Sequence, residues 1–556
     1  MFVMAYAPFG ADGIIIRVEA DIRRGIPGID ISGLAEGAVR EARERVQAGF
    51  RNSGYVFPPH RVLINLAPAG VRKDGASLDL PIALSVIAAE LAPSPDNLLV
   101  MGELELSGRV RPVRGVLAAV AAGLREGIRD FIVPAGNARE AAILAGSVPG
   151  GNGGGAHVAA VSSLAEAVHV LVVREKSGLL PPVLPDADPG VFAARVSRNG
   201  DPPGGAEGDP LPLVSEDFSA VRGQARYRRA LEIAAAGGHN LFVFGPPGAG
   251  KTMLARSVPS IMAPLTPAEA VEVTRLHSLA GRTIHGGEGD FDAGSGGLMN
   301  FPPFRAPHHS ASAEGILGGG KLVRPGEISL AHYGLLFLDE APLFRANVLE
   351  ALREPLEDQV ITISRADGPV RLPAGFQLLL AANSCPCGRL GLPAADGASG
   401  AACLCGSEEI RRYWRKFGAA LLDRIELRVP VLPPGGKEMC GGGNGETSAE
   451  IAVRVRKAVE VQRERLAKRG YRRNARIPAG LVDLVCPLTD RAAAAFRKAA
   501  AALGFSGRAC HGVLRTARTI ADLDEKEVID TVHVLEAVQH RRYGEDPRDC
   551  CLAGAG

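Results

Sequence analysis

Between Val360 and Phe376 apolar and polar residues alternate through VITIS, pass the tripeptide ADG and resume as VRLPAGF, a pattern that predicts a hairpin with Arg365 and Arg371 flanking its turn. The neighbouring runs LFVF, GLLFL and FQLLLAA do not alternate. Each is continuously apolar and ends in a glycine-rich or polar segment, as strands buried inside a parallel α/β sheet do. Residues 1 to about 175 mix shorter β-like runs (GIIIRVEADI, RVLINLA, DFIVPA) with alanine-rich helical stretches. After PPGGKEMCGGGNGETSAE the pattern turns helical; Ile451, Val455, Val459 and Leu466 keep helical spacing beneath many basic residues. That basic face reads either as a DNA path or as the charged outside of a lid helix. The expected organisation is an α/β multidomain protein: a domain over 1–176, a Pro-, Gly- and Asp-rich linker over 177–213, a parallel-sheet core over 214–435 and a helical domain over 436–556.

Composition narrows the class. The 556 residues are 46% hydrophobic and 22% charged, enough to bury several cores. A net charge of +2 restricts any nucleic-acid site to a local patch, and 5% aromatic residues argue against base stacking as the main contact. No apolar run approaches the roughly 18–20 residues that span a bilayer. The opening MFVMAYAPFGADG lacks the pattern of a signal peptide, so the expected location is cytoplasmic. In a reducing compartment the nine cysteines need not pair.

Chemistry concentrates in three places. LFVFGPPGAGKTMLA is a strand, a glycine-rich turn and a helix start matching the phosphate-loop pattern G-x-x-x-x-G-K-[ST]. Gly245, Pro246, Pro247, Gly248, Ala249 and Gly250 would wrap phosphates with backbone N–H groups, Lys251 would reach the β- and γ-phosphates, and Thr252 would bind Mg²⁺. GLLFLDE ends a second strand in Asp339, a Mg²⁺ ligand, and Glu340, a base for the attacking water. FQLLLAANS ends a third in Asn383, placed to help position that water. Two Cys-x-Cys pairs, Cys385 with Cys387 and Cys403 with Cys405, suit a tetrahedral structural Zn²⁺.

The segments GGHNLFVFGPPGAGKTMLA, FRAPHHSASAEGILGGGKLVRPGEISLAHYGLLFLDE and FGAALLDRIELRVPV resemble the magnesium-chelatase-like AAA+ ATPases of the ComM/YifB type, and the resemblance covers nearly the whole chain. It implies ATP and Mg²⁺ as cofactors and a homo-oligomer, a hexamer, with active sites between subunits. It makes Arg424 of LLDRIEL the finger that reaches a neighbour's γ-phosphate; the alternative is a salt bridge to Asp423 or Glu426. FSGRACHGVLRTARTIADL resembles the family's second sensor, with Arg508 preferred over Arg515 as the nucleotide-contacting arginine, and Val221, Gly223 and Gln224 would border the adenine. The hairpin occupies the place of this branch's pore hairpin. Arg365 and Arg371, with Arg305, Lys321 and Arg324 of the preceding insert, would meet a DNA backbone there. His308 and His309 read as polar loop residues. The resemblance implies helicase or branch-migration activity on recombination intermediates during natural transformation; the alternative is chelatase-type remodelling of a protein partner.

Residues 59–140 resemble the Lon protease domain (ribosomal S5 domain 2-like). Ser77 stands at that family's nucleophile position, while the position of its lysine base holds Ala119. The expectation is a catalytically dead relative.

Overall fold

The computed structural model describes residues 2–33, 36–69, 73, 76–90, 97–146, 155–177, 180, 217–282, 298–320, 323–365, 368–390, 403–433 and 445–543. Most of the expected linker, and Lys321, lie outside these residues.

The N-terminal region builds a seven-stranded mixed sheet. Its order is Gly28–Ser32, Arg61–Ala67, Ile14–Arg23, Phe2–Ala7, Leu98–Val100, Asp130–Pro134 and His157–Val161. Period-two alternation assigns the side chains to its faces. Val3, Ala5, Leu98, Val100 and Ile132 enter one core with helices Asp79–Glu90 and Leu164–Ser177, whereas Tyr6, Leu99, Phe131 and Val133 enter another with helix Val116–Arg125.

The second region is a five-stranded, all-parallel sheet. Its order is Phe304–Arg305, Leu335–Leu338, Gln377–Ala382, Leu241–Phe244 and Leu427–Pro430. The strand carrying the phosphate loop therefore sits between the Asn383 strand and the last strand. Both faces are covered, which is why the apolar runs are unbroken. Phe242, Phe244, Leu336, Leu338, Leu378 and Leu380 pack to one side; Leu241, Val243, Leu335, Phe337, Leu379 and Ala381 pack to the other.

That second core does not stop at the sheet. It continues through Ile451, Val455, Val459 and Leu466 of helix Ser448–Ala467 into helices Gly507–Leu523 and Thr531–Arg541. The helical region is thus fused to one face of the sheet. Its long helix begins with a capping box in which Thr447 accepts from Glu450 N–H and the Glu450 carboxylate accepts from Thr447 N–H. Its basic residues are mostly engaged: Arg454 with Glu446 and Glu232, Arg463 with Glu269, Arg465 with Asp522. The structure therefore favours the charged outer face of a lid over a DNA path.

The N-terminal region also touches the parallel-sheet region, through helices and loops rather than through the sheets themselves. Ser278 Oγ donates to Glu140 Oε2 at 2.8 Å, Arg275 pairs with Asp12 at 3.1 Å, and Ala11 joins Leu276 and Leu372 in a small apolar cluster. No helix among the described residues is long and apolar enough to cross a membrane.

Candidate nucleotide site

Strand Leu241–Phe244 delivers the chain to the carboxyl edge of the sheet, where it turns through the glycine-rich loop into helix Lys251–Ser257. Gly248 and Gly250 adopt φ of 75° and 79°, a left-handed conformation that glycine takes without penalty. A β-carbon at Gly245 would collide with the Val431 carbonyl oxygen, so the loop's first position is also fixed as glycine.

Lys251 Nζ is drawn under the loop. It donates to the Gly245 and Pro246 carbonyls at 2.7 and 2.8 Å and to Asn383 Oδ1 at 3.2 Å. Burial lowers its pKa to about 8, against the opposing pull of Asp339 and Glu340. Thr252 Oγ1 donates to Asp339 Oδ2 at 2.7 Å. A hydroxyl and a carboxylate side by side are the hard oxygen donors that Mg²⁺ prefers, so these residues fit the ion. Glu340 follows at φ 49°, its N–H donating to Asp339 Oδ1 at 2.9 Å and its carboxylate turned outward, 56% exposed. Five sequence-predicted residues from three separated segments thus meet at one sheet edge.

The segment expected beside the adenine also lies here. Gln224 Nε2 donates to the Ala249 and Leu432 carbonyls, and Tyr227 Oη donates to the Lys251 carbonyl at 3.1 Å. Two residues escaped the sequence reading. Tyr227 is a buried prop for the loop with no motif of its own. His309, read as a loop residue, places Nδ1 3.9 Å from Glu340 Oε2 and stacks on His308.

Arg424 and Arg508 do not join this cluster. Both pair with Glu357, Arg424 at 2.7 Å, and the Arg424 carbonyl accepts from Asn240 Nδ2 at 3.0 Å. Asn240 precedes the strand whose far end is Gly245; five residue steps of about 3.3 Å separate the two edges by roughly 16 Å. The partner of Arg424 is therefore neither Asp423, which Arg541 holds at 2.9 Å, nor Glu426, which accepts from Asn240 N–H. Glu357 lies in helix Arg353–Asp358, far away in sequence, where no spacing rule reaches it. Arg508, expected to touch nucleotide, stands beside Arg424 at Glu357 and away from its own chain's phosphate loop. Arg515 is a half-buried neighbour of Glu426.

The hairpin forms between Val360–Ile363 and Val370–Pro373, with Arg371 facing outward opposite Thr362. The last pair of the ladder is Ile363 with Val370, and Ala366 and Asp367 of the expected ADG turn lie outside the described residues. Arg324 is exposed on a second small ladder, Gly318–Gly319 with Arg324–Pro325. Arg305 corrects the expectation: it lies in the sheet, and Glu327 takes its guanidinium bidentately at 2.6 and 3.0 Å. In the N-terminal region Ser77 lies in the short turn Ala76–Leu78, and the Ala119 methyl is completely buried.

The four thiols converge. Cys385 Sγ lies 3.3 Å from Cys387 Sγ and 3.6 Å from Cys403 Sγ, and all four sulfur atoms fall within 4.8 Å of one another. Tetrahedral Zn–S bonds of about 2.3 Å set sulfur atoms about 3.8 Å apart, so the cluster fits Zn²⁺.

This strand order, loop and carboxylate pair are those of the P-loop ATPase class, in which the carboxyl edge of the parallel sheet is the place for the nucleotide. Family models agree: "Magnesium chelatase, subunit ChlI" matches residues 217–439, "Subunit ChlI of Mg-chelatase" 18–137 and "Magnesium chelatase, subunit ChlI C-terminal" 445–541. An uncharacterised Mycobacterium tuberculosis protein is 37% identical over 96% of this chain and 97% of its own. Competence protein ComM of Haemophilus influenzae is 35% identical over 97% of both chains, and the uncharacterised protein YifB of Escherichia coli 36% over 96% of both. The chain belongs to the magnesium-chelatase-like AAA+ family of the ComM/YifB type, which implies ATP hydrolysis with Mg²⁺. Lon protease of Chloroflexus aurantiacus is similar over 142 residues only, 30% identical across 24% of this chain and 17% of its own.

Proposed function

We propose that this protein is an ATP-driven ring motor that moves DNA, acting as a helicase or branch-migration factor on recombination intermediates. The observation that carries the ring is the division of the chemistry. Lys251, Thr252, Asp339, Glu340 and Asn383 meet at the carboxyl edge of the sheet, while Arg424 and Arg508 share Glu357 at the opposite edge. Such arginines serve a nucleotide only across a boundary between protomers, and a closed ring gives every protomer one neighbour on each side.

Within a site, Lys251 neutralises phosphate charge and Thr252 and Asp339 hold Mg²⁺, which offsets charge on the β- and γ-phosphates when bound. Glu340, projecting outward from its left-handed backbone, takes the proton of the attacking water. Asn383, already bonded to Lys251, orients that water. The neighbour's Arg424 and Arg508 leave Glu357 to meet charge developing on the γ-phosphate, so lid and finger report on the same event. The four cysteines hold a structural Zn²⁺.

The DNA reading draws on the exposed Arg371 and Arg324 of two short two-stranded ladders and on likeness to a competence protein. The Ala119 methyl supports a proteolytically inert N-terminal region that braces the motor: its Gly10 abuts Val370 of the hairpin. Remodelling of a protein partner is the second reading, favoured by the magnesium-chelatase matches along the chain. ATP turnover measured with and without branched DNA separates the two. The DNA motor predicts stimulation that fades with salt; turnover indifferent to DNA at every salt concentration would reject it.

A further inference from the structure

The cysteine cluster is built directly against the phosphate loop, at two independent points. The first runs along the chain. Asn383, the acceptor for Lys251 Nζ, stands two residues before Cys385. Between them the Ser384 carbonyl accepts from Trp414 Nε1 at 2.9 Å, and the Trp414 ring packs edge-on against Phe244, the residue that enters the loop, at 5.2 Å. The second runs across space. The turn from Cys385 closes with Gly388 N–H donating to the Cys385 carbonyl at 3.0 Å, and Gly388 adopts φ 75°. A β-carbon there would lie 2.9 Å from Pro247 Cδ. The backbone of the cysteine turn thus bears on the middle of the phosphate loop with no room for a methyl group.

We propose that Cys385, Cys387, Cys403 and Cys405 bind Zn²⁺ as a strut that fixes Pro247 and Asn383 for nucleotide binding. On binding, Zn²⁺ would displace whatever thiol protons the four cysteines still carry, releasing them to solvent, and form four Zn–S bonds, locking the turn that carries Gly388. Without metal, sulfur atoms this close offer one another only weak hydrogen bonds, and the turn loses the constraint that holds it on Pro247. The zinc assignment stands on the thiols alone; the effect on nucleotide rests on the ATP-site reading given above.

The chain provides its own reporter, because Trp414 is its single tryptophan. The test uses the full-length protein and measures bound zinc, Trp414 emission and affinity for a non-hydrolysable ATP analogue. The wild type should carry one zinc per chain. Stripping the folded protein with a chelator should shift Trp414 emission and weaken the analogue at least about tenfold, the scale on which small displacements cost an aligned site its function. Added Zn²⁺ should restore both signals. Cys403→Ser should reproduce the stripped state. Gly388→Ala should keep its zinc yet bind the analogue more weakly, because its methyl presses on Pro247. A zinc-free wild type, or a stripped protein with shifted Trp414 emission and undiminished analogue affinity, would overturn the strut and leave the ATP site standing. A zinc-loaded wild type that binds no nucleotide would overturn the ATP site and the strut together.

Discussion

Raising the pH from near 7 to near 9 should weaken ADP binding about tenfold, through Lys251 alone. Its ammonium is enclosed by the Gly245 and Pro246 carbonyls and Asn383 Oδ1, and burial lowers its pKa to about 8 although Asp339 and Glu340 favour the charged form. Phosphate oxygens against Nζ raise that pKa in the complex. The complex therefore keeps a proton that the free protein loses above about 8. Affinity is complete below that pH and falls as pH rises through it, by a factor of about ten, or 1.36 kcal/mol, per unit. Calorimetric titration with ADP in two buffers of different ionisation enthalpy reads the linkage directly: proton uptake near zero at low pH, approaching one per site above about pH 9. Lys251→Arg should bind less well but with a flat pH dependence, because a guanidinium does not titrate in this range. Affinity independent of pH in the wild type, with no proton uptake, would refute the argument.

Three further outcomes follow from the same geometry. Glu340→Gln should bind ATP as the wild type does while turnover falls roughly 10²–10⁴-fold, seen by comparing equilibrium binding with steady-state hydrolysis. Glu357→Ala leaves Arg424 and Arg508 without their shared carboxylate; urea unfolding of the lid should lose about 1–3 kcal/mol, with ADP affinity unchanged because Lys251 is at the other edge. Replacing Arg324 and Arg371 together by Ala should lower the dependence of DNA affinity on salt, reducing the logarithmic slope by about one for each phosphate no longer neutralised.

What the sequence makes legible is local or periodic. The apolar runs at Leu241, Leu335 and Gln377 announce buried strands because a sheet covered on both faces demands continuous hydrophobicity, and the residues ending those strands mark the site because parallel strands present their carboxyl ends together. Thr252 and Asp339 are readable for that reason although they are far apart in the chain. Partners set by tertiary packing are not readable. Nothing in the spacing of Glu357 links it to Arg424 and Arg508, nor marks Glu327 as the carboxylate that removes Arg305 from the basic insert. Tyr227 and His309 are invisible for the same reason, since their roles arise from the elements they lean on. The boundary near residue 435 is legible as a change of pattern, yet one hydrophobic core runs across it.

The central claim is that each ATP is split between two protomers, and mixing inactive chains tests it most directly. Lys251→Ala and Arg424→Ala proteins should each be nearly inactive alone. Assembled together in equal amounts, they should regain up to about a quarter of wild-type ATP turnover, because one boundary in four joins an intact Lys251 to a neighbour's intact Arg424. Mixed particles that contain both chains and hydrolyse no ATP at any ratio, or an Arg424→Ala protein fully active by itself, would contradict it.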